Sequence, residues 1–577
     1  MRPNVPPFAR QFFGAAEPFT RIGDGELGGK ASGLWLGRDL IATRLDATRF
    51  PDVRVEVPTL TVVTTEVFDR FLAWNKLHRV LGEGLPDDRL ALAFQQAELP
   101  PDLIGDVRAL VEQVTTPLAV RSSSLLEDAL EQPFAGVYAT KMIPNNQPDA
   151  DTRFRRLVEA VKFVFASTFF HGARAYRAAT GRPDADEKMA IVIQEIVGRR
   201  HGNRFYPDVS GVARSWNYYR AGRARPEEGV VNIALGLGKT IVDGGIVWAY
   251  SPAHPRVQPP AASARALLEQ TQTGFWAVNM GPPPAYDPIN EVEYLTTGTL
   301  ADAEYDGTLG LVASTYDPQA DRLTPGIGRP GARAVTFAPL LDLELVPFNG
   351  LVRALLAASE AALGGAVEVE FALTMDRAAT PAARLGFLQV RPMHVPGAAV
   401  DVSEADLGDP HAIVASDNAM GNGRLDGVRD VVYVRPDTFN ARDTRLVAGE
   451  LARVNHRLLE ERRPYLLIGF GRWGSADPWL GIPVEWDNIS QARAIVEAQT
   501  EQMLVEPSQG SHFFHNLSSF AVSYFTVPRA GRARLDWPWL LDQPIAFESA
   551  HVRHVSLPAP ITIKVDGRSG RGVVLKP

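Results

Sequence analysis

Hydrophobic residues follow two periods along this chain, and together they predict a mixture of helices and strands. Apolar side chains recur every three or four residues, the spacing of one face of a helix, over residues 24–45, 66–77, 103–114, 153–180, 344–363, 443–461 and 489–503. Apolar and β-branched runs predict strands over residues 59–65, 118–121, 189–197, 209–219, 229–235, 245–250, 367–374, 385–391, 431–434, 466–470 and 520–527. The interspersed elements predict an α+β chain.

Residues 396–428 interrupt this pattern. They are rich in glycine, aspartate, asparagine and serine, and we interpret them as a linker between two regions. The residues that follow, 429–577, again combine strands and helices and predict a smaller α/β domain, to which the pattern assigns no role.

The composition excludes several classes of protein. The chain has 577 residues, of which 45% are hydrophobic and 22% charged, as in globular proteins and unlike disordered, collagen-like or membrane-bundle proteins. It has no cysteine, which excludes disulfides, thiolate metal sites and a cysteine nucleophile. A net charge of −8 gives no reason to expect nucleic acid as a partner. The first residues lack a signal-peptide pattern and no run of about 18 apolar residues occurs, so a cytoplasmic protein with no membrane partner is expected.

Glycines lead into a lysine at two points of the chain. Gly28-Gly29-Lys30 opens a predicted helix, and Gly236-Leu237-Gly238-Lys239 follows a predicted strand. Such glycines let the backbone approach an anion closely, a helix N-terminus offers free N–H groups, and lysine neutralises phosphate. An ordinary turn or a glycine-rich hairpin explains each string equally well.

The strand over 118–121 ends in an arginine and runs into a loop rich in hydroxyl groups. Arg121 is followed by Ser122–Ser124, by Glu127-Asp128 and by Phe134-Ala135-Gly136. The planar guanidinium of arginine presents a fork of donors that suits phosphate oxygens. The alternative is a capped helix start with an arginine at the surface.

Two neighbouring predicted strands place polar side chains on one face. Residues two apart on a strand share a face, so Glu368 and Glu370 project together while valine and phenylalanine alternate with them. The next strand does the same with Gln389 and Arg391. Paired as a hairpin, the strands would carry two carboxylates, an amide and a guanidinium, which suits Mg²⁺ and phosphate. A solvated face with Glu–Arg pairs is the alternative.

Together these motifs resemble the nucleotide-binding domain of phosphoenolpyruvate synthase and pyruvate phosphate dikinase, a variant of the ATP-grasp fold. The resemblance runs in order over about residues 25–392. It rests on seven segments: GGK at 28–30, VPTLTVVTTEVF at 57–68, AVRSSS to FAG at 119–136, VIQEIV at 192–197, SGVA at 210–213, GLG at 236–238, and EVEF to LQVRP at 368–392.

The resemblance implies a two-lobed, ATP-grasp-like region over residues 1–395, with lobes of about 1–190 and 191–395, that binds ATP and Mg²⁺ as cofactors. It also implies roles for individual residues. By the resemblance, phosphate would be contacted by Lys30, Arg121 and Arg391. Adenine would be recognised by the strand Gln194, Glu195, Ile196 and Val197, beside a nucleotide loop with Gly236 and Gly238. Mg²⁺ would be bound by Glu368, Glu370 and Gln389.

The chain departs from the family pattern at three points. An acidic residue usually follows GLG, where this chain has Lys239. The segment after SGVA usually reads FTRNP, where this chain has Arg214-Ser215-Trp216-Asn217. The first metal-binding carboxylate is commonly aspartate and here is Glu368. These departures bear on the geometry of phosphate transfer more than on ATP binding.

The family's full-length enzymes also carry a swivelling domain with a phosphorylated histidine, in a GG-x-x-SHAA-like motif, and a pyruvate-binding barrel. The residues after 400 are too few for the barrel, and the string nearest to the histidine motif is 507–516. We interpret His512 and His515 in that string either as a phosphoacceptor loop or as a structural pair. The acceptor histidine could instead belong to a separate phosphohistidine-domain protein.

Residues 469–481 form an unusual loop after a predicted strand. Glycines surround Arg472, Trp473, Asp477 and Trp479. This composition is typical of a ligand-facing loop whose indoles stack on a ligand, and equally of a rigid Ω-loop.

The leading hypothesis is an ATP- and Mg²⁺-dependent phosphotransferase, a kinase with paired acceptors similar to the ATP half-reaction of phosphoenolpyruvate synthase. Its acceptor would be a histidine or a small molecule. A second hypothesis is an ATP-grasp ligase that activates a carboxylate, against which the AVRSSS and LQVRP strings argue. A third is a non-catalytic ATP-binding regulator or partner subunit, which the altered loops favour.

Overall fold

A computed structural model describes residues 4–10, 17–125, 136–179, 187–218, 224–259, 263–376, 379–393, 395, 400–475, 477–500, 503, 522–529 and 531–577. It confirms the mixed helix and strand content. The chain divides into two compact units. The first comprises Met1–Ser215, Gly229–Thr240 and Ile246–Met393, and the second comprises Trp216–Glu228, Ile241–Gly245 and His394–Pro577.

A five-stranded sheet, here called the N-terminal sheet, lies in the first unit. The strands Phe19–Ile22 and Leu60–Val63, at one edge, are parallel, and the other neighbouring pairs are antiparallel. Two of its strands, Leu60–Val63 and Met189–Glu195, consist mostly of buried apolar residues, which is the composition of strands covered on both faces. In spatial order the strands are Phe19–Ile22, Leu60–Val63, Met189–Glu195, Leu118–Ser124 and Thr140–Ile143.

A six-stranded sheet, here called the central sheet, carries most of the predicted site. The helix Phe348–Leu363 packs against it, and the Phe348 ring lies 5.7 Å from that of Phe371. Burial of each large apolar side chain in this core contributes about 1.5–3 kcal/mol. In spatial order the strands are Trp248–Tyr250, Val230–Ala234, Val209–Arg214, Val367–Met375, Ala383–Pro392 and Val53–Glu56.

Two smaller sheets complete the first unit. One consists of Leu295–Thr299, Gly274–Asn279, Arg204–Tyr206 and Arg199–His201, and the other of Arg322–Pro325, Ala313–Asp317 and Arg333–Val335. The α-helices before residue 394 are Gly28–Thr43, Thr65–Trp74, His78–Leu81, Asp87–Gln96, Pro101–Gln113, Ala150–Ser167, His171–Ala179, Lys239–Val242, Ala264–Glu269, Leu300–Tyr305, Ala338–Leu341 and Phe348–Leu363.

The second unit is built on a ten-stranded sheet with a parallel part. Four successive strands in it are parallel: Gly423–Val434, Tyr465–Phe470, Ala492–Ala498 and Ser523–Val527. The other strands of this sheet are Ala412–Ser416, Ala419–Met420, Arg534–Leu535, Ile545–Glu548, Val552–Asp566 and Arg571–Leu575. A pair of two-residue strands, Arg472–Trp473 and Gly481–Ile482, and the helices Glu404–Leu407, Thr444–Glu460 and Trp537–Leu541 complete the described part.

Two predicted helices differ from the structure. The helix predicted over 153–180 is two helices, Ala150–Ser167 and His171–Ala179. The helix predicted over 489–503 is the buried strand Ala492–Ala498, because parallel neighbours on both sides outweigh the local spacing of its apolar residues.

The segment 396–428 is not a linker. From residue 400 on it contains the helix Glu404–Leu407 and strands of the large sheet, and its polar residues close the turns between them. Asn, Asp and Gly favour tight turns as well as linkers, which explains the wrong prediction. Among the described residues, no helix is both long and apolar enough to cross a membrane.

Candidate functional site

The predicted hairpin of acidic and polar residues is confirmed. The strands Val367–Met375 and Ala383–Pro392 are antiparallel neighbours, with Glu368 opposite Arg391 and Glu370 opposite Gln389. A shift of register follows Glu370. The four side chains therefore lie on one face of the central sheet, as the alternation predicts.

Arg121 reaches this hairpin from the N-terminal sheet. Its Nη2 donates to Glu370 Oε2 and to Gln389 Oε1, both at 3.0 Å, and its Nη1 donates to the carbonyl of Leu388 at 2.8 Å. The side chains of Arg121 and Glu370 are 13% and 16% exposed, so this ion pair is in contact with solvent. Arg121 Nη2 thus bonds to both the Glu370 carboxylate and the Gln389 amide, two groups that were predicted to bind Mg²⁺.

Glu368 has a different environment from Glu370, although they are two residues apart. One of its oxygens accepts from Arg214 Nε, and the other accepts from Arg391 Nε at 2.7 Å. All three side chains are buried, at 1%, 1% and 5% exposure for Glu368, Arg214 and Arg391. Glu368 is therefore a buried anion between two guanidinium groups.

Lys30 lies in the first turn of the helix Gly28–Thr43 and is buried. The start of this helix is held by Ser123, whose Oγ accepts from the Ala31 N–H at 3.0 Å and donates to the Leu27 carbonyl at 2.8 Å. The Ser123 hydroxyl thus accepts a hydrogen bond from the Ala31 N–H, one of the helix N-terminal groups that the sequence analysis predicted would bind phosphate.

Glycines of this helix allow it to approach two strands. Gly28 has φ +77°, and a Cβ atom there would lie 1.7 Å from the carbonyl oxygen of Ser123. A Cβ atom at Gly33 would lie 2.5 Å from the carbonyl oxygen of Val390, on the site hairpin. The GGK motif therefore has a packing role, and it places Lys30 beside the strand that carries Arg121.

The predicted adenine strand is part of the N-terminal sheet. The N–H groups of Glu195 and Ile196 already donate to the carbonyls of Thr59 and Pro117, at 2.9 Å each. Gln194 is 2% exposed, and its Oε1 lies 3.5 Å from Arg121 Nη1. Its Nε2 has no hydrogen-bond partner among the described residues, so a buried donor beside Arg121 is left for a ligand.

The glycine loop meets the same strand through an apolar cluster. Leu237 packs with Phe205, Val278 and Met280, and the partly buried Ile196 and Trp276 border the cluster. Ser210 Oγ donates to the carbonyl of Gly236 at 2.7 Å, and Gly238 lies against the same serine. Lys239 Nζ lies 5.7 Å from the Trp276 ring centroid. Val197, by contrast, is buried against Gly386 and outside this cluster.

The donors that the sequence assigned to Mg²⁺ fit the ion unequally. Glu370 and Gln389 present oxygens that converge on one cation, the Arg121 nitrogen, and oxygen is what Mg²⁺ prefers. Both oxygens of Glu368 are instead bonded to arginines. Within the described residues, no three acidic or histidine side chains are grouped so that they could hold a metal.

A further ionisable group lies at the other end of the Arg214 strand. Asp208 is buried and accepts the Met375 N–H at 2.7 Å, with Arg199 at 3.6 Å. Burial raises the pKa of Asp208 to about 6, because these contacts offset the loss of hydration only in part.

The glycine-rich loop of the second unit is mostly structural. Arg472 is buried and donates to the carbonyls of Gly244 and Gly245, at 2.6 and 2.8 Å. Trp473 is buried and its indole N–H donates to the Val496 carbonyl, so it is not available for stacking on a ligand. The Trp479 side chain is 62% exposed, so its indole is accessible for stacking on a ligand. The predicted histidines His512 and His515, and Glu127, Asp128, Phe134 and Ala135, lie outside the described residues.

Sequence reasoning noted Arg214 as a departure but missed its contact with Glu368. The signal was a charged residue closing an apolar strand, Val209–Arg214, and only the strand order places it opposite Glu368. The Leu388 carbonyl was also missed, because backbone groups carry no sequence signature.

Residues 25–407 match the family described as "Pyruvate phosphate dikinase, AMP/ATP-binding domain", which is well over half of the chain. The chain belongs to this family. The resemblance of the motifs is thereby confirmed, and the description of the family supports ATP as the nucleotide.

One similar protein is rifampicin phosphotransferase from Streptomyces sviceus, which is 29% identical over 205 residues. The match covers 33% of this chain and 22% of the relative. The chain therefore matches less than a quarter of the length of this relative.

Proposed function

We propose that this protein is an ATP- and Mg²⁺-dependent phosphotransferase that moves a phosphoryl group from ATP to a histidine or a small-molecule acceptor. The observation that carries the proposal is the Arg121 nitrogen at 3.0 Å from both Glu370 and Gln389. Membership of a nucleotide-binding family and the similarity to an enzyme named rifampicin phosphotransferase support the same class of reaction.

The residues of the site supply what phosphoryl transfer requires, which is alignment and neutralisation of charge more than covalent chemistry. Arg121 and Arg391 offer donor forks to phosphate oxygens, and Lys30 offers a positive charge at the start of its helix. Glu370 and Gln389 would hold Mg²⁺, which, when bound, neutralises charge on the phosphates.

The nucleotide base would bind where the N-terminal sheet meets the glycine loop, in a two-lobed arrangement of the ATP-grasp kind. Gln194 supports this placement, since it is buried beside Arg121 with a donor unused among the described residues. Ile196, with the Leu237 cluster, offers an apolar surface for a base. The segment 194–196 and the loop 236–238 therefore keep their proposed roles, while Val197 lies against Gly386 instead.

The acceptor would be supplied by the second unit or by another molecule. A histidine of this chain, a separate phosphohistidine-domain protein and a small molecule are the three sources that agree with the proposal. The last has a parallel in the relative that is named for its action on rifampicin.

The test is product analysis with ATP labelled at either the β or the γ position. A dikinase mechanism gives AMP as the nucleotide product, with label on protein or acceptor. Release of ADP without AMP would reject the dikinase mechanism and retain a simple kinase. Absence of any turnover with histidine-domain proteins and small acceptors would reject the proposal.

A non-catalytic ATP-binding subunit is the second candidate, and the buried pairing of Glu368 with two arginines favours it. It predicts that ATP binds with ordinary affinity but is not consumed when a partner protein is present. Calorimetry with ATP, combined with nucleotide chromatography of the same sample, separates this candidate from the phosphotransferase.

A further inference from the structure

Three buried charges form a row across three neighbouring strands of the central sheet. Glu368 is the register partner of Arg214 on one side and of Arg391 on the other. Each arginine bonds to a different oxygen of the carboxylate. The row is thus set by strand register, and its position does not depend on a ligand.

We infer that Glu368 is a positioning residue that, with Arg214, holds Arg391 in place, and that a divalent cation at this site is bound by Glu370 and Gln389 without Glu368. The inference rests on the proposed function, because it assigns ligands within the same nucleotide site.

Metal binding at Glu368 would require a guanidinium to leave. All three side chains are at most 5% exposed, so the released arginine would lose the bond to this carboxylate without gaining water in its place. A divalent cation that joined both arginines at the carboxylate would instead bring like charges together in a region of low dielectric. Both routes disfavour metal binding at Glu368, and its carboxylate therefore remains bonded to Arg214 and Arg391.

Glu370 does not meet these obstacles. It and Arg121 are partly exposed, so water can solvate the guanidinium when it moves to another anion. Gln389 Oε1 accepts from the same nitrogen, and therefore a cation that replaces this nitrogen finds two oxygens in place. The exchange also frees Arg121 to bind phosphate.

The role of Glu368 follows from its partner. Arg391 donates to Glu368 Oε1 through Nε at 2.7 Å and also through Nη2, and two bonds from one guanidinium restrict its rotation. This restriction aims the remaining donors of Arg391 and lowers the entropy lost when they meet phosphate.

The test measures Mn²⁺, as a probe for Mg²⁺, by the paramagnetic resonance signal of the free ion, with the whole chain and a non-hydrolysable ATP analogue. Glu370→Gln is expected to weaken Mn²⁺ binding at least tenfold. Glu368→Gln is expected to change it less than threefold. Equal weakening by the two substitutions would overturn the inference.

A matched control keeps the charge of the row constant. The double variant Arg214→Met with Glu368→Gln removes one charge of each sign, and Mn²⁺ binding should again change less than threefold. Its affinity for ATP in excess EDTA should fall at least fivefold, because Arg391 loses its anchor. Unchanged affinity for metal-free ATP would show that Glu368 positions nothing that the nucleotide contacts.

Failure of the proposed function has a separate signature. A wild-type protein that binds neither ATP nor Mn²⁺ would reject that function. The coupling between Glu368 and Arg391, obtained from urea unfolding of Glu368→Gln, Arg391→Met and the double variant, then decides the positioning role. Additive effects of the two substitutions would overturn it.

Discussion

Each unit of this protein contains a buried carboxylate between two basic side chains, yet we assign only one of the two surroundings to a ligand site. In the first unit, Glu368 bonds to Arg214 and Arg391. In the second, Asp430 accepts from Arg463 Nε at 3.0 Å and lies 2.7 Å from His554 Nε2.

The difference lies in what surrounds each carboxylate. Arg457 contacts the second ring nitrogen of His554 at 3.0 Å, and Arg463 also bonds to Ser556, so the group around Asp430 closes on itself. Beside Glu368, the strand continues to the partly exposed Glu370 and its shared arginine. A buried carboxylate between basic groups therefore indicates a joint between strands, and a site needs in addition a partly exposed carboxylate, such as Glu370, whose cation a ligand can exchange.

The largest expected effect is on activity. Glu370→Gln should lower the rate of nucleotide turnover at least a thousandfold, about 4 kcal/mol in the barrier, because it removes the exchangeable carboxylate. Chromatography of AMP and ADP measures the rate. Since Glu370 is partly exposed, the free energy of unfolding should change by less than about 1 kcal/mol. Turnover above a tenth of the wild-type rate would contradict the comparison.

The next effect is on stability, in the other unit. Asp430→Asn should lower the free energy of unfolding by about 3 kcal/mol, because the buried His554 and the partly exposed Arg463 both lose the carboxylate that they bond to. Urea unfolding measures the loss, and ATP affinity should stay unchanged. A loss of ATP affinity in a variant that remains folded would show that the closed group around Asp430 contributes to ligand binding after all.

The pH dependence of Asp208 sharpens the contrast between a carboxylate whose partners outweigh the effect of burial on its pKa and one whose partners do not. Its pKa is raised to about 6, so the folded state holds the proton that the unfolded chain releases near pH 4. The stability that depends on this group is therefore present below about pH 4 and is lost as the pH rises to about 6.

Relative to the wild type, Asp208→Asn should gain up to about 3 kcal/mol of unfolding free energy between pH 4 and pH 7. Urea unfolding at both pH values measures the gain. Around Asp430 the sign is opposite: burial raises its pKa, but the bonds from His554 and Arg463 outweigh burial and lower it. A pH-independent difference between wild type and Asp208→Asn would refute the argument.

The smallest effect is expected four residues before Asp430, on the same strand. Asp426 pairs with Arg424, and both side chains are more than half exposed. Asp426→Asn should leave the free energy of unfolding essentially unchanged, because solvent screens this pair. The variant is a matched control for Asp430→Asn in the same urea experiment. A change as large as that of Asp430→Asn would mean that burial does not govern these pairs.

The hairpin of the site was predictable because its signal is local. Alternation alone puts Glu368 and Glu370 on one face, and the next strand supplies their partners. The nucleotide-binding family could likewise be predicted from the order of short motifs, since each motif lies on one strand, turn or helix start.

The role of Arg214 could not be predicted, because it depends on strand order. The strand Val209–Arg214 pairs with a strand more than 150 residues later, and no local pattern reports that neighbour. The strand Ala492–Ala498 was predicted as a helix for the same reason, since its conformation is determined by parallel partners distant in sequence.

The contact between Gly28 and Ser123 also determines at which step, folding or ligand binding, the entropy of ordering this site is lost. Because no other amino acid leaves room for the Ser123 carbonyl at that position, the start of the helix and the Arg121 strand are fixed against each other once the chain has folded. The backbone entropy of aligning Lys30 with Arg121 is thus lost during folding and not during nucleotide binding. In the proposed phosphate site, affinity would then depend mainly on the side-chain rotamers of these two residues.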